Sequence, residues 1–170
     1  MKKLIALILS LMLCLTAFAA LAETAPAVVA GETIEFQDGL SFEPPTGWVE
    51  LEVSAEDEAA GVQCILQDPA SKNTIVVTWA EAIQESTLEA LAESLKATYT
   101  EVEPIELNGI PAVFYTVADK EASGFCFMDG NGGLYSFTFA PTSNADLATV
   151  LQTMLPTIQF LDAPEAAPAA

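Results

Sequence analysis

Asp129-Gly130-Asn131-Gly132-Gly133 begins as a calcium-binding loop begins, with carboxylate and amide oxygens at alternate positions. Such a loop needs an oxygen ligand at its fifth position and Glu at its twelfth. Those positions hold Gly133 and Ala140, so the segment reads as a flexible hairpin turn. Glu56-Asp57-Glu58 offers three carboxylates to a hard cation. Three consecutive acids do not converge on one ion by themselves, and charge runs are usually solvated. Two carboxylates at a set separation suffice for glycoside hydrolysis. The chain supplies many acids, but no pair stands out in an apolar, aromatic setting. Trp48, beside the turn at Gly47, is placed either to stack on a ligand or to plug the edge of a core. No residue is assigned a catalytic, cofactor-binding or metal-ligating role, and no cofactor is expected.

What is missing excludes more than what is present suggests. The chain has 24 acidic residues, five lysines, no His and no Arg. Nucleic-acid binding needs cations to neutralise phosphates, so it is excluded. Bidentate arginine recognition of phosphate or carboxylate cannot occur. Ser-His-Asp and Cys-His catalysis both lack their base. Zinc sites lose their imidazole ligands, and too few thiols remain for a four-thiolate site. An anionic membrane surface would repel so acidic a chain.

The N-terminus carries an address. Lys2 and Lys3 precede an apolar run from Leu4 to about Ala20, which closes on Ala20-Leu21-Ala22 before the acid Glu23. Positive start, apolar middle and A-x-A ending make residues 1–22 a secretory signal peptide, cleaved after Ala22. An uncleaved anchor is the alternative, because about 19 residues just span a bilayer. Cys14 does not suit lipidation: Leu13 before it is large, and the chain stays apolar beyond it. Cleavage would remove Lys2 and Lys3 and take the formal charge from −19 to −21. The expected localisation is secreted, either extracellular or in the cell envelope. Cys64 and Cys126 would then be the only thiols; an oxidising compartment permits one disulfide, while their strand-like surroundings suit free core cysteines.

The elements that must position these residues follow from local pattern. Residues 23–32 read as a linker and 162–170 as a disordered Ala/Pro/Glu tail, which leaves one domain at 33–161. Asp38-Gly39 predicts a hairpin between strands Thr33–Gln37 and Leu40–Glu43. Val49–Val53 continues extended, Ser54–Gly61 is an acidic loop or short helical turn, and Val62–Gln67 and Thr74–Ala80 are strands. The last is apolar on both faces, as a strand covered on both sides is. Ser86 and Glu89 form a capping box before Leu88, Leu91, Ala92, Leu95 and Tyr99, which share one helical face. Asn108-Gly109 turns Val102–Leu107 into Ile110–Ala118. Gly124–Met128 meets Leu134–Ala140 with Phe127 opposite Tyr135 and Phe125 opposite Phe137, an aromatic sheet face with Cys126 on the other side. A final helix capped by Ser143 or Asn144 ends at Pro156, and Thr157–Leu161 closes the domain. Antiparallel strands and two amphipathic helices predict an α+β fold, an antiparallel β-sheet sandwiched by helices.

The opening Leu40-Ser41-Phe42-Glu43-Pro44-Pro45-Thr46-Gly47-Trp48 resembles the sF-x-x-P-x-G-W start of PsbP-like and DcrB-like exported domains. The order of hairpin, Ser-x-x-Glu-headed helix, Asn-Gly-x-Pro-Ala hairpin (Asn108 to Ala112), meander and last helix is similar too. The resemblance covers residues 33–161 and implies the same helix-sandwiched sheet. It also implies a docking or accessory role without catalysis, and it carries over no catalytic residue. The sequence therefore points to a secreted or cell-surface, non-enzymatic binding module. Its partner would be an unknown protein or glycan, basic or uncharged, met first at Glu56–Glu58 and Pro44–Trp48. A carboxylate-based hydrolase and a calcium-dependent surface adhesion domain are the alternatives.

Overall fold

The computed structural model describes residues 27–28, 32–37, 39–81, 87–117, 121–129, 132–142 and 151–160. The strands among them are β1 (Ala27–Val28), β2 (Ile34–Glu35), β3 (Leu40–Phe42), β4 (Val49–Leu51), β5 (Val62–Gln67), β6 (Thr74–Glu81), β7 (Thr100–Leu107), β8 (Ile110–Val117), β9 (Ala122–Met128), β10 (Gly133–Ala140) and β11 (Gln159–Phe160). Two helices, α1 (Ala55–Ala59) and α2 (Leu88–Leu95), lie between strands. Eight strands form one antiparallel sheet in the order β1-β4-β5-β6-β10-β9-β8-β7, and β11-β3-β2 form a second. The meanders β4-β5-β6 and β7-β8-β9-β10 are thus joined side by side through β6 and β10. Ala27–Val28, inside the segment read as a linker, pairs with Val49–Glu50 at one edge. At the opposite edge, Pro104 and the exposed Glu101, Glu103 and Glu106 of β7 discourage a further strand from pairing.

Turn chemistry places the hairpins where the sequence puts them. Asn108 and Gly109 adopt φ of 49° and 84°, the two left-handed positions of a tight hairpin turn between β7 and β8. In β9 and β10 the expected register holds, with Tyr135 opposite Phe127 and Phe137 opposite Phe125. Phe125 and Phe137 stack with ring centroids 5.0 Å apart, and Phe139 joins them at 5.5 Å from Phe125.

The expected sandwich by helices is wrong. The aromatic face is covered chiefly by the second sheet: Leu40 and Phe42 of β3 and the partly buried Ile34, Phe36 and Phe160 join Phe125, Phe127, Phe137 and Phe139 in one core. Phe42 meets Phe137 edge-on at 5.3 Å across the two sheets. Among the described residues, the helical contribution here comes from Leu151 and Met154 and from the 3-10 turn Leu155–Thr157 that leads into Ile158. The predicted cap of that last helix, Ser143 or Asn144, lies outside the described residues. The physical reason for the error is that Leu-Ser-Phe alternation fits any antiparallel partner. β3 is flanked by β2 and β11, a pairing its own sequence does not specify.

Helix α2 covers the other face, as its apolar stripe predicts. Leu91, Leu95 and Tyr99 pack with Val113, Tyr115, Cys126 and Leu134. Its cap is Thr87, whose hydroxyl accepts from Ala90 N at 3.2 Å; Ser86 lies outside the described residues. Nearer β4 and β5, Val49, Leu51, Val62, Ile65 and Val76 form a third apolar group. Val62 joins it because the β5–β6 register slips between Val62 and Cys64, so residues two apart land in different cores.

Tyr115 is buried under α2, with its hydroxyl 2.8 Å from Ser136 Oγ and 3.1 Å from Thr138 Oγ1. Gly124 lies opposite it on β9 and makes the room. A Cβ at Gly124 would stand 2.5 Å from Phe137 O and 2.7 Å from the Tyr115 hydroxyl. Gly124→Ala is expected to cost about 1–3 kcal/mol, the usual penalty of overpacking. Urea unfolding would measure it, and a loss below about 0.5 kcal/mol would show that Tyr115 can step aside.

Candidate functional site

The residues flagged in the sequence do not converge. Trp48 is 4% exposed and belongs to the aromatic core. The Pro44–Gly47 turn beside it only borders a depression of about 120 Å³ with Glu43, Thr153, Met154 and Thr157. Glu56, Asp57 and Glu58 occupy the first turn of α1, where acids offset the partial positive charge of free backbone N–H groups. Ser54 caps that turn by accepting from Asp57 N at 3.2 Å and donates to the Asp57 carboxylate at 2.6 Å. These acids thus have a structural account.

The thiols are separated. Cys64 sits in the aromatic core and Cys126 under α2, on strands β5 and β9 with β6 and β10 between them. Three strand spacings of about 4.8 Å put them well beyond disulfide reach, and both are free and buried. Burial, reinforced by the neighbouring Glu50 carboxylate, pushes the Cys64 thiol far up. Burial pushes Cys126 up to about 12. Neither is a nucleophile near neutral pH.

A cleft of about 620 Å³ does bring useful side chains together. It lies between the tip of the β2–β3 hairpin and the aromatic face of the large sheet, and is lined by Glu35, Phe36, Gln37, Gln63, Trp79 and Tyr135. Its floor is a directly opposed cross-strand pair, Trp79 of β6 and Tyr135 of β10. Tyr135 is buried and Trp79 half-buried, so the indole supplies the accessible ring. Phe36 forms the wall, its ring centroid 5.7 Å from that of Tyr135. The hairpin tip is held by Phe36 N donating to Leu40 O at 2.8 Å and by Gly39 N donating to Phe36 O at 3.0 Å. Glu35, Gln37 and Gln63 are exposed on the rim.

Three features hold Trp79 in place. Its indole N–H donates to Asp129 Oδ2 at 3.2 Å, while Asp129 Oδ1 accepts from Gly133 N at 2.8 Å. The carboxylate that resembled the first ligand of a calcium loop therefore closes a hairpin and anchors a tryptophan. Gly133 must lack a side chain, because a Cβ there would strike both Asp129 Oδ2 and Trp79 Nε1. On the other side, Trp79 N donates to Gly61 O at 2.9 Å, and Gly61 (φ 94°) leaves no space for a Cβ against the Trp79 carbonyl. The irregularity at Val62–Cys64 presents Gln63 to the cleft, with its amide 3.4 Å from Gly61 O.

Sequence reasoning missed Trp79, reading Thr74–Ala80 as a strand with both faces covered. The Asp129–Gly133 turn was visible, but its link to Trp79 depends on β6 pairing with β10, more than 50 residues further along the chain. Among the described residues, no group of three or more His, Cys, Asp or Glu is arranged to hold a metal ion. Compared with known proteins, the chain matches no family model and no curated sequence.

Proposed function

We propose that the protein is an exported, non-enzymatic binding module whose contact site is the cleft between the β2–β3 hairpin tip and the Trp79–Tyr135 pair. One observation carries this reading: an open, preformed cavity of about 620 Å³ combines an anchored indole with two rim amides. That size falls within the range of small-ligand sites, and a few polar groups around aromatic walls are what orients a ligand in them. Among the described residues, the lining contains one carboxylate, Glu35, whereas glycoside hydrolysis uses two facing the scissile bond. Asp129 nearby already accepts two hydrogen bonds, one to each oxygen.

The two tryptophans provide the test. Trp48 reports from the core and Trp79 from the cleft, so their indole N–H resonances separate folding from binding. A fragment library of sugars, short peptides, carboxylates and alkylammonium ions is added to isotope-labelled protein. A ligand is expected to move the Trp79 resonance saturably, leave that of Trp48 in place and be recovered unchanged. A library in which nothing moves Trp79, or in which a glycoside is hydrolysed, would overturn the reading.

Export rests on residues 1–22, which lie outside the described residues. Cleavage after Ala22 is expected, and intact mass of protein recovered from medium or periplasm should show Glu23 as the first residue. Recovery solely from membranes with Met1–Ala22 retained would contradict it.

A further inference from the structure

We infer that the cleft selects ligands bearing an alkylammonium group, which would lie against Trp79 with Glu35 as its counter-charge. The inference rests on the cleft being the contact site, and adds what kind of ligand it takes. A cation is drawn to the face of an aromatic ring by the ring's quadrupole, most strongly by indole. Here the accessible ring is an indole, with Phe36 beside the floor it shares with Tyr135. The Trp79 N–H bond to Asp129 lies in the ring plane, so it occupies neither ring face and puts a carboxylate at the edge of the half-buried ring.

Among the described residues, the charge around the cleft has one sign. Glu35 is on the rim, and Glu81, two residues beyond Trp79, is exposed on the same face of β6. Among the described residues the lysines are elsewhere. Lys72 sits in the turn before Thr74, at the far end of β6 and roughly 20 Å along the strand from Trp79. Lys96 follows α2, which covers the opposite face, and pairs with Glu93 at 2.7 Å. With a formal charge of −19 for the whole chain, a cation gains from the long-range field as well as from the cleft, and an anion loses on both. A neutral sugar would use the amides of Gln37 and Gln63 and donate hydroxyls to Glu35, but would gain nothing from the field.

Choline and its uncharged carbon isostere, dimethylbutanol, have nearly the same shape, so comparing them isolates the charge. Calorimetry and the Trp79 indole resonance are expected to show choline binding at least tenfold tighter. Glu35→Gln, at an exposed position, should weaken choline about threefold or more and leave dimethylbutanol unchanged. Trp79→Leu keeps apolar bulk without the ring and should remove the preference; if that variant is unstable, Glu35→Gln still decides. A trilysine peptide distinguishes two sources of the same chemistry. Tighter binding by the peptide than by choline identifies lysyl side chains of a basic protein, and the reverse identifies a free small cation. Equal affinity for choline and its isostere, or binding of a neutral disaccharide with none of choline, would overturn the inference while leaving the binding-module reading intact. Failure of every probe and every library fragment to move Trp79 would overturn both.

Discussion

Trp48→Ala is expected to destabilise the protein by about 3–5 kcal/mol, the cost of deleting a large aromatic side chain from a packed core. The indole is 4% exposed and packs in the cluster that holds the two sheets together. For a domain of this size that loss lowers Tm by roughly 10 °C or more. Trp79→Ala should behave oppositely. Its ring is half-buried, so the variant should lose less stability but should lose ligand binding as read by calorimetry. Thermal unfolding of both variants by circular dichroism, with calorimetric titration of a ligand beside it, separates the two roles. A Trp48→Ala protein with unchanged Tm would mean that the core can close over the vacancy.

Phe137→Ala should be comparably damaging, again about 3–5 kcal/mol. Phe137 is fully buried, stacks on Phe125 at 5.0 Å with 12° between ring planes, and receives Phe42 edge-on from the second sheet. Removing it opens a cavity at the junction of the two sheets, where β3 and β10 face each other. Phe137→Leu keeps most of the volume and should lose less than about 1.5 kcal/mol from packing. It should lose in addition about 0.5–1.5 kcal/mol from the missing ring contacts. Urea unfolding midpoints for the pair would show it. Equal losses for Leu and Ala would mean that ring contacts, rather than filled volume, hold this junction.

The resemblance to PsbP-like and DcrB-like domains rested on turn and packing motifs, and those motifs did not determine the layers. The Leu40–Trp48 segment does form a strand and a turn into buried Trp48. Yet β3 belongs to a separate three-stranded sheet lying over the aromatic face, a layer that helices were expected to supply. Leu40, Ser41 and Phe42 are all fully buried, and a three-residue pattern of that kind contains no record of which strands stand beside it.

What the sequence determined by itself was local or compositional. The absence of His and Arg removes whole classes of chemistry whatever the fold. Asn108-Gly109 favours a tight turn because these two residues enter the left-handed region, as the turn requires twice, at little cost. The loop between β9 and β10 then sets the Phe125–Phe137 register, since strand alternation propagates from the turn. The stripe Leu91, Leu95 and Tyr99 predicts the buried face of α2 for the same reason. Only the tertiary structure decided which strands pair at long range, and the cleft is a product of those pairings. Trp79 meets Tyr135 because β6 lies beside β10, Phe36 reaches them because β2 and β3 cross over the sheet, and Gln63 faces them because β5 slips against β6. Such pairings are chosen by the total apolar surface they bury, a sum over the whole chain to which every short apolar run contributes alike.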